Sequence, residues 1–438
     1  MYSLSRMSTE SWGRLPKVNQ QARAVNWHTD PLPNVPEGTL LPYGLGRSYG
    51  DSCLNDGGNV LVTRHMDHLL AFDTETGVFR CEAGLSLANI LRIIVPHGWF
   101  IPVSPGTKFV TVGGAIANDI HGKNHHRAGT FGNHVNAFEL MRSDGSRMHC
   151  SPNENADYFA ATIGGLGLTG LITWAEFRLK KIHNPFVDVE TIKLKNLDDF
   201  FAVDADSTDQ FEYTVSWVDC LAKGASLGRG HYMRGNTAGP ECTRIPPKEK
   251  GQKPFPIDAP GFLLNTATVK IFNALYYGRQ FRTRVRNVQH YEPFFYPLDA
   301  IHQWNRMYGK RGFYQYQCVV PYADSRDHIR EIFTTIAHSG EGSFLAVLKV
   351  FGDIQSPGLL SFPRPGVTLA LDFANKSDST LDLMNRLDTL VLAGNGAVYP
   401  AKDARMSAES FRAYFPNWEE LIPFIDPKFS SSFWRRVT

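Results

Sequence analysis

At 438 residues the chain is too long for one ordinary hydrophobic core, so two domains or lobes are expected. A hydrophobic content of 42% with 20% charged residues describes a globular protein and excludes a disordered one. The formal charge of +2, from 45 basic against 43 acidic residues, gives no pull toward nucleic acid. From about residue 40 to 181 the chain reads as short β segments broken by glycine-rich turns. Residues 60–63 form a short apolar strand and 77–82 alternate like another. A helix follows: Leu87, Ile90, Leu91 and Ile94 share one face, Ser86 is placed to cap its start and Gly98 to end it. Asp144-Gly145 is a hairpin turn between strands at 137–141 and 147–149, and 172–179 alternates again. This is an α+β pattern without the regular strand–helix alternation of a Rossmann domain.

Near Asn184-Pro185 the glycine clusters thin out and aromatic strands begin. Residues 211–217 (FEYTVSW) and 312–320 (GFYQYQCVV) alternate as half-buried strands of an antiparallel sheet. Between them, 240–260 is rich in proline, lysine and glycine and reads as a mobile surface loop. No internal repeat is visible.

Three glycine-rich stretches carry the first chemical signal. GLGRSYGD, Gly44 to Asp51, lets successive N–H groups converge on one spot and hold a phosphate without a side chain. Its spacing is not the Rossmann fingerprint, and taken alone a structural turn explains it better. PGTKFVTVGGAIANDIHGKNHH (105–126), with Thr111, Gly113 and Gly114, and the GGLGLTG turn at 164–170 change that balance. Three such loops in one α+β lobe suggest a long ligand, such as a dinucleotide, wrapped by backbone. His121, Lys123, His125 and His126 are dense enough to invite a metal reading, but the lysine among them argues against one. For His125 and His126 the plain reading is a hydrogen-bonded core histidine. Lys402, in AVYPAKDAR, by itself reads as half of a surface salt bridge with Asp403.

The six cysteines lie far apart and form no C-x-x-C pair, so neither zinc nor a disulfide framework is expected and a reducing compartment is. The N-terminal stretch lacks the apolar core of a signal peptide. No run of about 18 apolar residues is present. A cytoplasmic location is expected, with peripheral contact to the inner membrane left open.

Taken together, GLGRSYGD, the 105–126 stretch, GGLGLTG and AKDAR resemble the vanillyl-alcohol oxidase superfamily, with its PCMH-type FAD-binding domain. Within it the likeness is to flavoenzymes that oxidise decaprenylphosphoryl-β-D-ribose, and it runs from about Arg14 onward. The resemblance implies a two-lobed α+β fold: an FAD-binding domain over 1–185, an antiparallel-sheet substrate domain over 186–396, and a segment, 397–438, returning to the FAD-binding domain. It assigns Gly44, Gly46, Arg47, Ser48, Tyr49, Gly50, Gly106, Thr111, Val112, Gly113, Gly114, Asn118, His121, Ile172 and Tyr399 to FAD. Relatives with covalent flavin carry a histidine where this chain has Arg47, and a second attachment point aligns with Thr107, so noncovalent FAD is implied.

For the substrate, the resemblance implies Lys123, Trp217, Gln315, Gln317 and Lys349 as binding residues, and Lys402, His121 and Tyr49 as the catalytic set. Gln315 and Gln317 sit two apart on a strand, on one face, which suits sugar hydroxyls. Lys123 and Lys349 suit a phosphate as point charges. A desolvated Lys402, or His121, can take a hydroxyl proton. Where relatives have an asparagine and a cysteine, this chain has Thr368 and Ala370, and Phe295-Tyr296 replaces a tyrosine before the Pro-Leu-Asp turn. The implied reaction is oxidation of C2 of a polyprenyl-phosphoryl-β-D-ribose to the 2-keto sugar, with a separate short-chain reductase completing epimerisation to arabinose. A basic loop at 248–253 followed by apolar 261–264 is a candidate contact with the membrane holding such a lipid. The competing readings are an alditol or aldonolactone oxidase, and a flavin-binding partner or sensor without catalysis.

Overall fold

The computed structural model describes residues 9–247, 251 and 253–438. The first half builds two small sheets from the segments expected to be strands. Gln21–Ala24, Asn59–Val62 and Leu40–Tyr43 form a three-stranded parallel sheet. Leu69–Phe72, Val78–Glu82, Leu171–Arg178, Val135–Met141 and Arg147–Cys150 form, in that spatial order, an antiparallel sheet. The helix Leu87–Ile94 packs its apolar stripe into the core beside this sheet, with the Ser86 hydroxyl accepting from the Asn89 N–H. A short 3-10 turn, 95–97, separates it from Gly98, which closes the end in the left-handed region at φ 77°. The Asp144-Gly145 hairpin forms as expected, the Asp144 carboxylate accepting from the Ser146 N–H at 2.8 Å.

The second half is dominated by one eight-stranded antiparallel sheet. Its central strands are Tyr213–Val218, Ala346–Phe351, Gly366–Ala374 and Phe313–Val320. Side chains alternate across a strand, so each of these serves two surroundings. Tyr316, Cys318, Leu348, Val350, Leu369 and Leu371 face a core closed by the helices Ser325–Ser339 and Asp378–Ala393. Gln315, Gln317, Val347, Lys349, Thr368 and Ala370 point the other way and line a cavity. A period of two therefore puts apolar packing and polar function on the same strands.

Residues 397–438 touch both halves. Ala397–Val398 pairs with Phe313–Val320 at the edge of the large sheet. Further on, the Leu40 N–H donates to Lys428 O at 2.7 Å and the Ser432 N–H to Leu54 O at 2.7 Å. Arg436 holds both oxygens of Asp51, at 2.9 and 2.8 Å, and Asp403 at 2.9 Å. Gly50 lies between, so close to Asp403 that a Cβ there would stand 1.7 Å from its carbonyl oxygen. Part of the loop expected at 240–260 lies outside the described residues, including 248–250 and 252 of its basic run. What is described departs from a plain loop, since Lys253–Pro254 forms a two-residue strand beside Ile301–His302. Among the described residues no helix is long and apolar enough to cross a membrane.

Arg436 neutralises two carboxylates whose side chains are only 4% and 1% exposed. Arg436→Ala leaves Asp51 without its ion pair and Asp403 with only Arg405 nearby, and is expected to lower stability by about 3 kcal/mol. Chemical denaturation of the purified holoprotein measures this, and an unchanged midpoint would show that these ion pairs contribute nothing to stability.

Candidate functional site

The cavity has a volume of about 630 Å³ and lies between the polar face of the large sheet and the glycine-rich loops. The first loop leaves the strand Leu40–Tyr43 and turns through Gly46 at φ 61°, where a Cβ would approach the Tyr43 hydroxyl to 2.2 Å. The N–H groups of Leu45, Gly46, Arg47 and Ser48 find no acceptor among the described residues, and all four residues line the cavity. Converging free donors of this kind form an anion-binding nest. The second loop enters the helix Val112–Ala117, with the Thr111 hydroxyl accepting from the Gly114 N–H at 3.2 Å. The third contributes Gly167 and Gly170.

Of the residues expected to meet FAD, Gly44, Gly46, Arg47, Ser48, Tyr49, Gly106, Thr111, Gly113, Gly114, Asn118, His121, Ile172 and Tyr399 are on the wall. Gly50 and Val112 are not: Gly50 packs on Asp403, and Val112 is fully buried in the core. The Arg47 guanidinium sits 3.9 Å over the Trp12 ring and donates to Phe109 O at 3.0 Å. Lys123, Trp217, Gln315, Gln317, Lys349 and Lys402 all reach the same cavity. His125 and His126 are core residues, bonded to the Gly352 N–H and to Phe211 O respectively.

His121 is held between two of these side chains. Lys349 Nζ lies 3.0 Å from its Nδ1, and Gln317 Nε2 lies 2.9 Å from its Nε2. A neutral imidazole has one N–H, so both neighbours cannot donate to it. With the Gln317 amide donating to Nε2, Nδ1 carries the proton and gives it to an uncharged Lys349 amine. With that amide reversed, Lys349 donates instead. Burial pushes His121 well below its ordinary range, reinforced by the charge of Lys349, so the ring is neutral in either arrangement. Burial also lowers Lys349 strongly, with Lys123 adding to it. Lys123 falls to about 8 by burial and donates to Phe295 O at 3.2 Å.

Lys402 stands 4.1 Å from the centre of the Tyr49 ring, and burial lowers it to about 8 against the opposing pull of Asp372. Asp372 is a participant that the reading of single motifs passed over. It is 1% exposed and sits opposite Gln315 in the strand register. Gln315 Nε2 donates to its Oδ1 at 2.5 Å, while Oδ2 has no partner among the described residues. Burial raises its carboxyl to about 7. The signal was present: Thr368, Ala370 and Asp372 share one parity on Gly366–Ala374, a strand otherwise apolar at its centre. Asp299 was also missed, a carboxylate on the wall that accepts from the Lys108 N–H at 2.8 Å. Trp217 presents its ring only, because its indole N–H donates to Phe344 O at 2.9 Å.

Residues 34–151 match the model of an FAD-binding domain family. The chain is 38% identical over 416 residues to a decaprenylphosphoryl-β-D-ribose oxidase of Mycolicibacterium smegmatis, covering 91% of this chain and 89% of that protein. A protein of Streptomyces coelicolor described only as uncharacterized is 32% identical over 372 residues, 81% of this chain and all of its own length. L-gulonolactone oxidase of Mus musculus is 33% identical over 131 residues, 30% of this chain and 29% of that enzyme. The cofactor is FAD, and the residues fit it: free backbone donors at 45–48 suit its pyrophosphate, and the long cavity continues from them to the lysines.

Gly46→Ala forces a side chain into the left-handed region, at a cost of about 1–2 kcal/mol, and pushes it against Tyr43. The expected product is a folded protein with a several-fold lower ratio of flavin to protein absorbance, and wild-type occupancy would exclude this turn from cofactor binding.

Proposed function

This chain belongs to the decaprenylphosphoryl-β-D-ribose oxidase family of FAD-dependent oxidoreductases, and on that premise we propose that it oxidises a secondary hydroxyl of a polyprenyl-phosphoryl sugar. The favoured carbon is C2 of a β-D-ribose, and the product is the 2-keto sugar. The observation that carries this reading is one cavity wall that Lys123, Lys349 and Lys402 share with two glutamines and with His121, which Lys349 and Gln317 hold. Three lysines in one polar recess, two of them free of the role of base, suit a substrate that is both a sugar and a phosphate ester.

Bound FAD supplies the acceptor for the hydride that leaves the carbinol carbon. The chain's own residues handle the rest. Lys123 and Lys349 meet the phosphate, and Gln315 and Gln317, on the same wall, meet ring hydroxyls. Lys402, as an uncharged amine, accepts the hydroxyl proton as the carbonyl forms, so the alcohol loses one hydride and one proton. Neutral His121 fixes Lys349 and Gln317 relative to each other. Tyr49 covers the Lys402 ammonium with its ring, and Asp372 orients Gln315 and moderates the charge on Lys402. We assign FAD a noncovalent attachment, because Arg47 stands where covalent relatives carry histidine and its guanidinium is occupied with Trp12 and Phe109. We also assign the two-lobed vanillyl-alcohol oxidase arrangement, with 1–185 and 397–438 around the flavin and 186–396 around the substrate. A short-chain reductase would then reduce the ketone to complete epimerisation.

Anaerobic titration with a short-chain polyprenyl-phosphoryl ribose should bleach the flavin absorbance while free alditols and lactones leave it oxidised. Bleaching by a free sugar alcohol alone would overturn the lipid-linked substrate. Acid precipitation of the same sample should leave all of the flavin in the supernatant.

The base must be uncharged to act, so kcat/KM should rise with pH through about 8, where Lys402 loses its proton. Asp372 raises Lys402, and Asp372→Asn removes that charge, so the inflection should move to lower pH. Lys402→Ala should lower kcat by about 10²–10⁴-fold with flavin retained. A profile that is flat, or that Asp372→Asn moves upward, removes Lys402 from the role of base.

A further inference from the structure

The helix Thr266–Gly278 is turned the wrong way round for a surface helix. Its buried positions are Val269 and Asn273, the latter donating to Asp219 Oδ1 at 2.9 Å and so fixing that face inward. The face turned away from the protein carries Ile271 and Leu275, 60% and 71% exposed, with Phe272 beside them. Leu263 just before the helix and Phe281 just after it, the latter 95% exposed, are exposed as well. Scattered exposed apolar residues are ordinary, but a contiguous set on one helix face marks a contact site.

Along the chain, the charges of this segment have one sign. From Asp258 to Glu292 the chain has no acidic residue between them, while Lys270, Arg279, Arg282, Arg284 and Arg286 are basic. Arg284 and Arg286 answer to Glu190, which leaves Lys270, Arg279 and Arg282 without an ion pair among the described residues. Tyr276 and Arg279, on the same helix and just past its end, line the cavity. The helix that carries the apolar face therefore also contributes to the cavity wall.

We propose that the outer face of Thr266–Gly278, with Phe281, seats in the interface of a bilayer rich in anionic phospholipid, its basic rim meeting the headgroups. An amphipathic helix with apolar residues outward and cations at its border has the chemistry of a helix lying in a membrane surface. The proposal deepens the lipid-linked reading and rests on it for its purpose: a polyprenyl chain could stay in the leaflet while its sugar phosphate enters beside Tyr276 and Arg279. It also moves the contact from the basic run at 248–253 to a helix whose faces are defined.

The test is flotation of the flavin-loaded protein with phosphatidylcholine–phosphatidylglycerol vesicles and with phosphatidylcholine vesicles alone. The wild type should float with the anionic vesicles, lose that association in high salt, and bind the neutral ones weakly. The double variant Ile271→Glu/Leu275→Glu, and separately Arg282→Glu, should bind at least several-fold less. Retained flavin absorbance in the variants establishes that they are folded. Wild-type protein that stays at the bottom of the gradient, or variants that float unchanged, overturn the proposal. A wild-type dimer in light scattering that the double variant converts to monomer also overturns it, because the face would then join two copies of this chain. The vesicles contain no sugar, so an error in the assigned substrate leaves this result untouched. Conversely, bleaching of both variants by a soluble short-chain substrate would uphold the substrate while vesicle binding fails.

Discussion

Charge held away from water on the cavity wall is the constraint around which the rest of the site is organised. Lys123, Lys349 and Lys402 are all lowered by burial, and His121 among them is kept neutral. Cations in such a place repel one another and lack hydration, so they persist only where the backbone that bears them cannot yield. The large antiparallel sheet meets that requirement. Lys349 and Gln317 extend from central strands whose opposite faces are locked into a core of aliphatic and aromatic side chains. Among the described residues the wall itself supplies negative charge through Asp299 and, behind Gln315, Asp372.

Asp372 illustrates how such a site is tuned. A carboxylate in direct contact with Lys402 would hold the amine protonated, and one far away would not moderate it at all. Here the carboxyl is buried behind Gln315 and raised to about 7, which keeps its pull on Lys402 modest. The amine and the acid then titrate in neighbouring ranges. That is the arrangement in which a proton can be taken and later released without a large free-energy step.

Much of this was legible in the sequence wherever the signal is local. The Ser86 cap, the Gly98 stop and the Asp144-Gly145 turn act over a few residues, and each appears where the residue types require it. The glycine loops and the paired glutamines were legible for the same reason. Asp372 was not, because its meaning comes from register: it faces Gln315 only when two strands far apart in sequence align. Nor was the outward face of Thr266–Gly278, since an apolar helix stripe reads as core until the packing shows which side the protein covers. Gly50 shows a related limit. Its small size is needed for the backbone of Asp403 and not for a ligand, and no spacing rule separates those two demands.

The contacts made by residues beyond 397 bear on the order in which the molecule is completed. The Tyr49 N–H is held by Ala401 O at 2.9 Å, and Asp51 is held by Arg436. The flavin loop is thus finished well after it is made, because its supports, Ala401 and Arg436, emerge from the ribosome 352 and 385 residues after Tyr49 and Asp51. A nascent chain can form the small sheets early, but it has no closed cradle until residues 401–436 have been made. Closing the cradle around the flavin is therefore a late step of folding, one that waits on residues far along the chain from the loop itself.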